Sequence, residues 1–177
     1  MRRLLAPSVA LVLLVSFGCG TSTTTTKIDS PIADVPVALK QVTAAKLEEA
    51  LAEHKGRILV VDCWFLGCSP CVAKFPEFVA MRNELSKQGI AFASVDVMVS
   101  ENEITEKVLG FLKKQNAAFP NYLLNDKEDL ADLWQERNRI VGTPATLVYD
   151  RNGELLKNFE DAKLDKVKKY VLEVAKK

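Results

Sequence analysis

"RILVVDCWFLGCSPCVAKFP", residues 57 to 76, runs an apolar, β-branched segment into three of the four cysteines in the chain. The first half is short, hydrophobic and bounded by Gly56 and Gly67, so it reads as a strand buried on both faces. From Ser69 to Lys87 the pattern turns helical. The junction therefore sets Cys68 where a helix begins and Cys71 three residues on, inside its first turn. At that spacing both sulfurs face one side, close enough to bond once the first turn relaxes. The open N–H groups and the positive end of the helix dipole stabilise a thiolate at Cys68. Cys68 is thus the expected nucleophile toward a disulfide, and Cys71 the thiol expected to resolve the mixed disulfide.

Outward from this junction, strands and helices alternate. Residues 42 to 54, with Leu47, Ala50, Leu51 and His54 at helical spacing behind a Thr43 cap, predict a helix. "IAFASVDVMV", residues 90 to 99, predicts a second buried strand, and residues 101 to 116 a helix. Residues 126 to 138 predict another helix, with Leu130, Leu133 and Trp134 expected on its inner face. Residues 145 to 160 read as a hairpin turning at Asn152-Gly153, and residues 164 to 177 as an amphipathic closing helix. This order implies an α/β sandwich around a mixed sheet.

Length and composition bound the rest. A chain of 177 residues, 48% hydrophobic, suits one globular domain that needs no disulfide staples, so each cysteine must be explained singly. Formal charge is +1, with no basic cluster, which argues against a nucleic-acid partner. Arg2 and Arg3, an uncharged apolar run from Leu4 to Phe17, then Gly18 and Cys19 have the layout of an export signal over residues 1–18. Its removal takes away two arginines and no acid, moving the formal charge from +1 to −1. "LVSFGC", residues 14 to 19, resembles a bacterial lipoprotein signal, which implies lipid on Cys19; plain secretion and an uncleaved anchor are the other readings. "GTSTTTTK", residues 20 to 27, is too polar to order itself and reads as tether. Residues 28 to 40 continue it or form a short edge strand. The expected division is signal 1–18, tether 19–40 and domain 41–177.

A Cys-x-x-Cys pair also suits zinc, but zinc needs further ligands, and the domain offers only Cys63 and His54. Cys63 reads as a small core residue and His54 as a surface or satisfied one, so no metal site and no cofactor are expected.

With these residues placed, "ILVVDCWFLGCSPCVAKFP" resembles the active-site segment of the thioredoxin superfamily, through Asp62, Trp64, Cys68, Cys71 and Pro76. "VGTPATLVYDRNGE", residues 141 to 154, resembles its second hallmark, a cis-proline loop facing the dithiol. The longer spacing between the motifs, filled by "FLKKQNAAFPNYLLND", and the phrase "GTPATLVYD" are similar to the TlpA/ResA-type envelope thioredoxins. The resemblance implies a thioredoxin-like three-layer sandwich with a mixed central sheet over about residues 42 to 177. It implies a membrane-tethered thiol:disulfide oxidoreductase of the cell envelope or periplasm, reducing protein disulfides, notably in cytochrome c maturation, and recharged by a membrane electron donor.

By the same resemblance Pro144 takes a cis bond, and the Thr143 backbone meets an extended substrate strand. Asp62, with a raised pKa, accepts the Cys71 proton; its other reading is a carboxylate merely hydrogen-bonded at a strand end. Trp64 packs beside the site and contributes to substrate binding, or serves the core alone. The chain departs from the family at three places. Gly67 replaces the usual tryptophan, leaving that flank bare; Lys74 stands where cytochrome-maturation members often carry glutamate; Ser69-Pro70 lacks a thiolate-stabilising histidine. Two other functions remain open on this scaffold: a copper(I) chaperone using Cys63, Cys68 and Cys71, or a module that only binds partners.

Overall fold

The β-branched run around Val60 becomes the centre of a sheet because every residue in it except Asp62 is apolar and can be covered on both sides. The protein, seen as a computed structural model, is described for residues 36–98, 102–125 and 128–176. The expected signal, Cys19 and most of the expected tether lie outside these residues. In chain order the elements are β1 (Lys40–Val42), α1 (Ala44–Ala52), β2 (Leu59–Trp64), α2 (Ser69–Leu85), β3 (Ala91–Asp96), α3 (Asn102–Lys114), β4 (Asn121–Leu124), α4 (Glu128–Arg137), β5 (Ala145–Tyr149), β6 (Leu155–Glu160) and α5 (Leu164–Ala175).

One six-stranded sheet runs in the order β1-β4-β3-β2-β5-β6. The pairs β1/β4, β4/β3 and β3/β2 are parallel, whereas β2/β5 and β5/β6 are antiparallel. Alternation along β2 sends Val60 and Trp64 to one face and Leu59, Val61 and Cys63 to the other. The first face packs against α2, α3 and α5 through Phe75, Phe78, Leu112 and Val167. The second packs against α1 and α4 through Leu47, Ala131 and Trp134. These are the expected three layers around a mixed sheet.

Thr43 caps α1 as expected, its hydroxyl accepting from the Lys46 N–H at 3.3 Å. Val42, however, belongs to β1 and not to the helix. β4 is a strand the sequence did not announce: four residues buried throughout carry no period to read. The hairpin turn forms where expected, with Gly153 at φ +84° and the Asp150 carboxylate accepting from the N–H groups of Asn152 and Glu154. The inner face of α4 differs from expectation. Trp134 is buried, but Leu130 and Leu133 are 43% and 50% exposed, and Ala131 and Asn138 take their place inside. His54 is half-buried and accepts from Arg57 Nη2 at 2.9 Å, a satisfied residue as expected.

Candidate active site

Cys68 is the N-cap of α2, in extended conformation, and Cys71 lies in the first turn with Pro70 just before it. The Cys71 N–H donates to Cys68 Sγ at 3.3 Å, so the cap that opens the helix is itself a sulfur. The two cysteines form a disulfide across a Cα–Cα distance of 5.2 Å. Cys68 is 6% exposed and Cys71 only 1%, so Cys68 is the less deeply buried of the pair. Gly67 does not leave its flank bare. The Phe65 ring lies 3.1 Å from where a Gly67 Cβ would stand, so a half-buried aromatic from the preceding residues occupies that side, and a larger residue at 67 would displace it.

Asp62 shares the α2-facing side of β2 with Val60 and Trp64. Its register neighbours are Ser94 on β3 and Thr146 on β5. The Thr146 hydroxyl donates to Asp62 Oδ1 at 3.3 Å, and Lys74 Nζ, from α2, donates to Thr146 Oγ1 at 3.4 Å. Burial pushes the Asp62 carboxyl up to about 6, against the pull of the Lys74 charge and the Thr146 bond.

Trp64 is completely buried, its ring 4.8 Å from Phe75 and 5.1 Å from Phe111. It stands behind the dithiol and has no exposed surface for a docked partner to touch. The Thr143–Pro144 peptide is cis. Ala145, the next residue, pairs with Cys63 across the β2/β5 ladder, which brings the Thr143-Pro144 loop to the end of β2 from which the chain leaves for Cys68. Cys63 is free and buried on the opposite face of the sheet from Cys71, among Leu59, Val61 and Val95. The three thiols of the copper-chaperone reading therefore do not converge, because alternation along β2 turns Cys63 away from α2.

Two polar features escaped the sequence. The Lys74–Thr146 link joins residues 72 positions apart and depends on β5 folding back beside β2. Asp96 ends β3 opposite Trp64; burial pushes its carboxyl up to about 7, while Oδ1 accepts from the Met98 N–H at 3.1 Å. The available signal was a lone acid ending an apolar β run, as Asp62 nearly ends "ILVVDCW".

Known proteins are similar to this chain in sequence and in fold. The model of the AhpC/TSA family matches residues 33–157. Thiol-disulfide oxidoreductase ResA of Bacillus subtilis is 26% identical over 124 residues, covering 70% of this chain and 64% of its own length, which is less than two thirds. The thioredoxin domain of a thiol-disulfide oxidoreductase from Bacteroides vulgatus superposes with a TM-score of 0.56 at 25% identity, over 68% of this chain and 81% of that one. A thiol:disulfide interchange protein from a Bacteroides species gives 0.55 at 24% identity, over 72% and 78%. The strand order, the capping cysteine and the family match agree, and the chain belongs to the thioredoxin-like AhpC/TSA family.

Proposed function

We propose that this protein is a thiol:disulfide oxidoreductase of the cell envelope, reducing protein disulfides with its Cys68/Cys71 dithiol and held to a membrane by lipid on Cys19. The observation that carries the reading is a disulfide-bonded sulfur pair at a helix start, with an ionisable carboxyl buried under the same helix. In the reduced state the Cys68 thiolate attacks one sulfur of a substrate disulfide. A Cys68–substrate bond forms, the substrate's own S–S bond breaks, and its other sulfur leaves as a thiolate that takes up a proton. Cys71 then gives its proton to Asp62 and attacks Cys68 Sγ, releasing the second substrate sulfur. Two electrons have passed to the substrate, and the enzyme carries the Cys68–Cys71 disulfide.

Thr143 offers its backbone N–H and C=O to an extended substrate strand, and Pro144 shapes the loop that presents them. A membrane electron donor returns two electrons and two protons, since the envelope lacks the cytosolic thiol pool. Among the described residues no helix is long and apolar enough to cross a membrane; in this reading the lipid on Cys19 makes the attachment.

The test is a pair of variants. Cys68→Ser is expected to lose disulfide reduction to background, while Cys71→Ser accumulates mixed disulfides with substrate. Equal residual turnover in both would refute the assigned roles. Cytochrome c maturation is the narrower form of the proposal: mass spectrometry of what Cys71→Ser traps should find a c-type apocytochrome, and recovery of unrelated proteins alone removes it.

A further inference from the structure

We propose that Lys74 is a positioning residue for the Asp62 carboxylate, acting through the Thr146 hydroxyl; this rests on the dithiol reading above. Lys74 stands three residues after Cys71 on α2, so the two project from one side of the helix. Lys74 Nζ donates to Thr146 Oγ1 at 3.4 Å, and that hydroxyl donates onward to Asp62 Oδ1 at 3.3 Å. Three elements meet here: α2 supplies the ammonium, β5 the hydroxyl and β2 the carboxylate.

The direction of donation decides what the chain of bonds favours. An ammonium can only donate, an ionised carboxylate can only accept, and a hydroxyl between them takes one bond and gives one. The relay is therefore strongest with Asp62 charged, and each bond polarises the next. Both contacts are long for such bonds, as catalytic contacts often are outside the reacting complex.

The other groups around Asp62 are committed elsewhere. Ser94, beside it on β3, donates to Asn121 Oδ1 at 2.8 Å. Cys71 is in the disulfide, and Cys63, next on the same strand, faces the other side of the sheet. Among the described residues Lys74 is the cation that acts on Asp62, and it opposes the effect of burial. A carboxylate that must receive the Cys71 proton has to be empty of one first. Lys74 keeps it so over a wider range of pH, and loss of the ammonium should confine fast resolution to more alkaline solution.

The experiment compares the mature wild-type protein with Lys74→Met, Lys74→Arg and Thr146→Val. Lys74→Met keeps an apolar stem and removes the charge; Lys74→Arg keeps the charge; Thr146→Val removes only the hydroxyl link. Carbon-13 NMR of the Asp62 carboxyl in the oxidised protein reads its titration without any turnover. The acid limb of single-turnover disulfide reduction reads the consequence. Lys74→Met is expected to move both upward by about one pH unit, the scale of one nearby charge. Thr146→Val should move them the same way, and Lys74→Arg should restore them.

An active wild type whose Asp62 titration and acid limb both stay in place in Lys74→Met overturns the proposal. A wild type that reduces no disulfide overturns the dithiol reading instead, and the NMR titration still judges Lys74 by itself.

Discussion

Asp62 puts a charge-bearing group where an apolar one would be more stable, and the sign of that conflict can be worked out. Its carboxyl is raised from an ordinary 3.8 to about 6, with burial the largest cause. The folded chain therefore holds a proton that the unfolded chain releases above about pH 4. Stability must fall as pH rises from about 4 to about 6, then level off. At about 1.4 kcal/mol per unit, holding this one group in its site costs a net of about 3 kcal/mol above that window, burial being partly offset by Lys74 and Thr146. Asp62→Asn should accordingly be about 3 kcal/mol more stable than wild type at pH 7.5 and nearly unchanged at pH 4. Lys74, only half-buried, can turn its ammonium to water once the charge beneath it is gone. The same variant cannot accept the Cys71 proton, so resolution of the mixed disulfide should slow on the order of a hundredfold. Urea unfolding at the two pH values checks the first half; an equal change at both contradicts it. Stability given up at this residue for reactivity is what a working carboxylate predicts, and a merely structural one has no reason for it.

At the scale of elements, α4 separates what a hydrophobicity pattern can read from what packing decides. The leucines at 130 and 133 are the more apolar choice for an inner face, yet they are exposed, and Ala131, Trp134 and Asn138 turn inward. The rotation follows the largest side chain. Trp134 is buried against the second sheet face, and small Ala131 leaves it room. Asn138 completes the stripe because its polar groups are satisfied there: it donates to the Trp134 carbonyl at 2.8 Å and accepts from the Tyr149 hydroxyl at 2.6 Å. That pairing joins α4 to β5 and cannot be seen in the local sequence. Trp134→Ala should therefore cost about 3 to 5 kcal/mol, whereas Leu133→Gln should stay within about 0.5 kcal/mol. A comparable loss in both, measured by thermal unfolding, would restore the leucine face. β4 escaped reading, and β1, expected as a short edge strand within residues 28 to 40, begins only at Lys40, for a related reason: four and three residues show no period, and partners distant in sequence define them.

Across the whole molecule, the dithiol was legible because a strand, a loop and a helix start within a few residues fix it locally. Asp62 was legible through the resemblance of its segment to the thioredoxin active site, but its partners were not, since Thr146 reaches it only through the β2/β5 ladder. The direction of the sheet also separates two ends of the protein. β1 is parallel to β4, β4 to β3 and β3 to β2, so Lys40, which opens β1, lies at the N-terminal side of the parallel strands. Cys68 lies off the C-terminal end of β2, on the opposite side. On the proposed lipid attachment, a change at Cys19 alters where the protein is held and leaves the dithiol's chemistry alone. Cys19→Ser is expected to move the protein from the membrane fraction to the soluble fraction of the envelope. Its purified form should reduce a soluble protein disulfide at the wild-type rate, while recharging by a membrane donor slows in cells because the two no longer share a surface. Separation of envelope fractions followed by immunoblotting reads the first outcome, and thiol alkylation of Cys68 in living cells reads the last. Retention of Cys19→Ser in the membrane fraction would sink the lipid attachment and leave the dithiol mechanism standing, because the mechanism draws only on residues folded beyond β1.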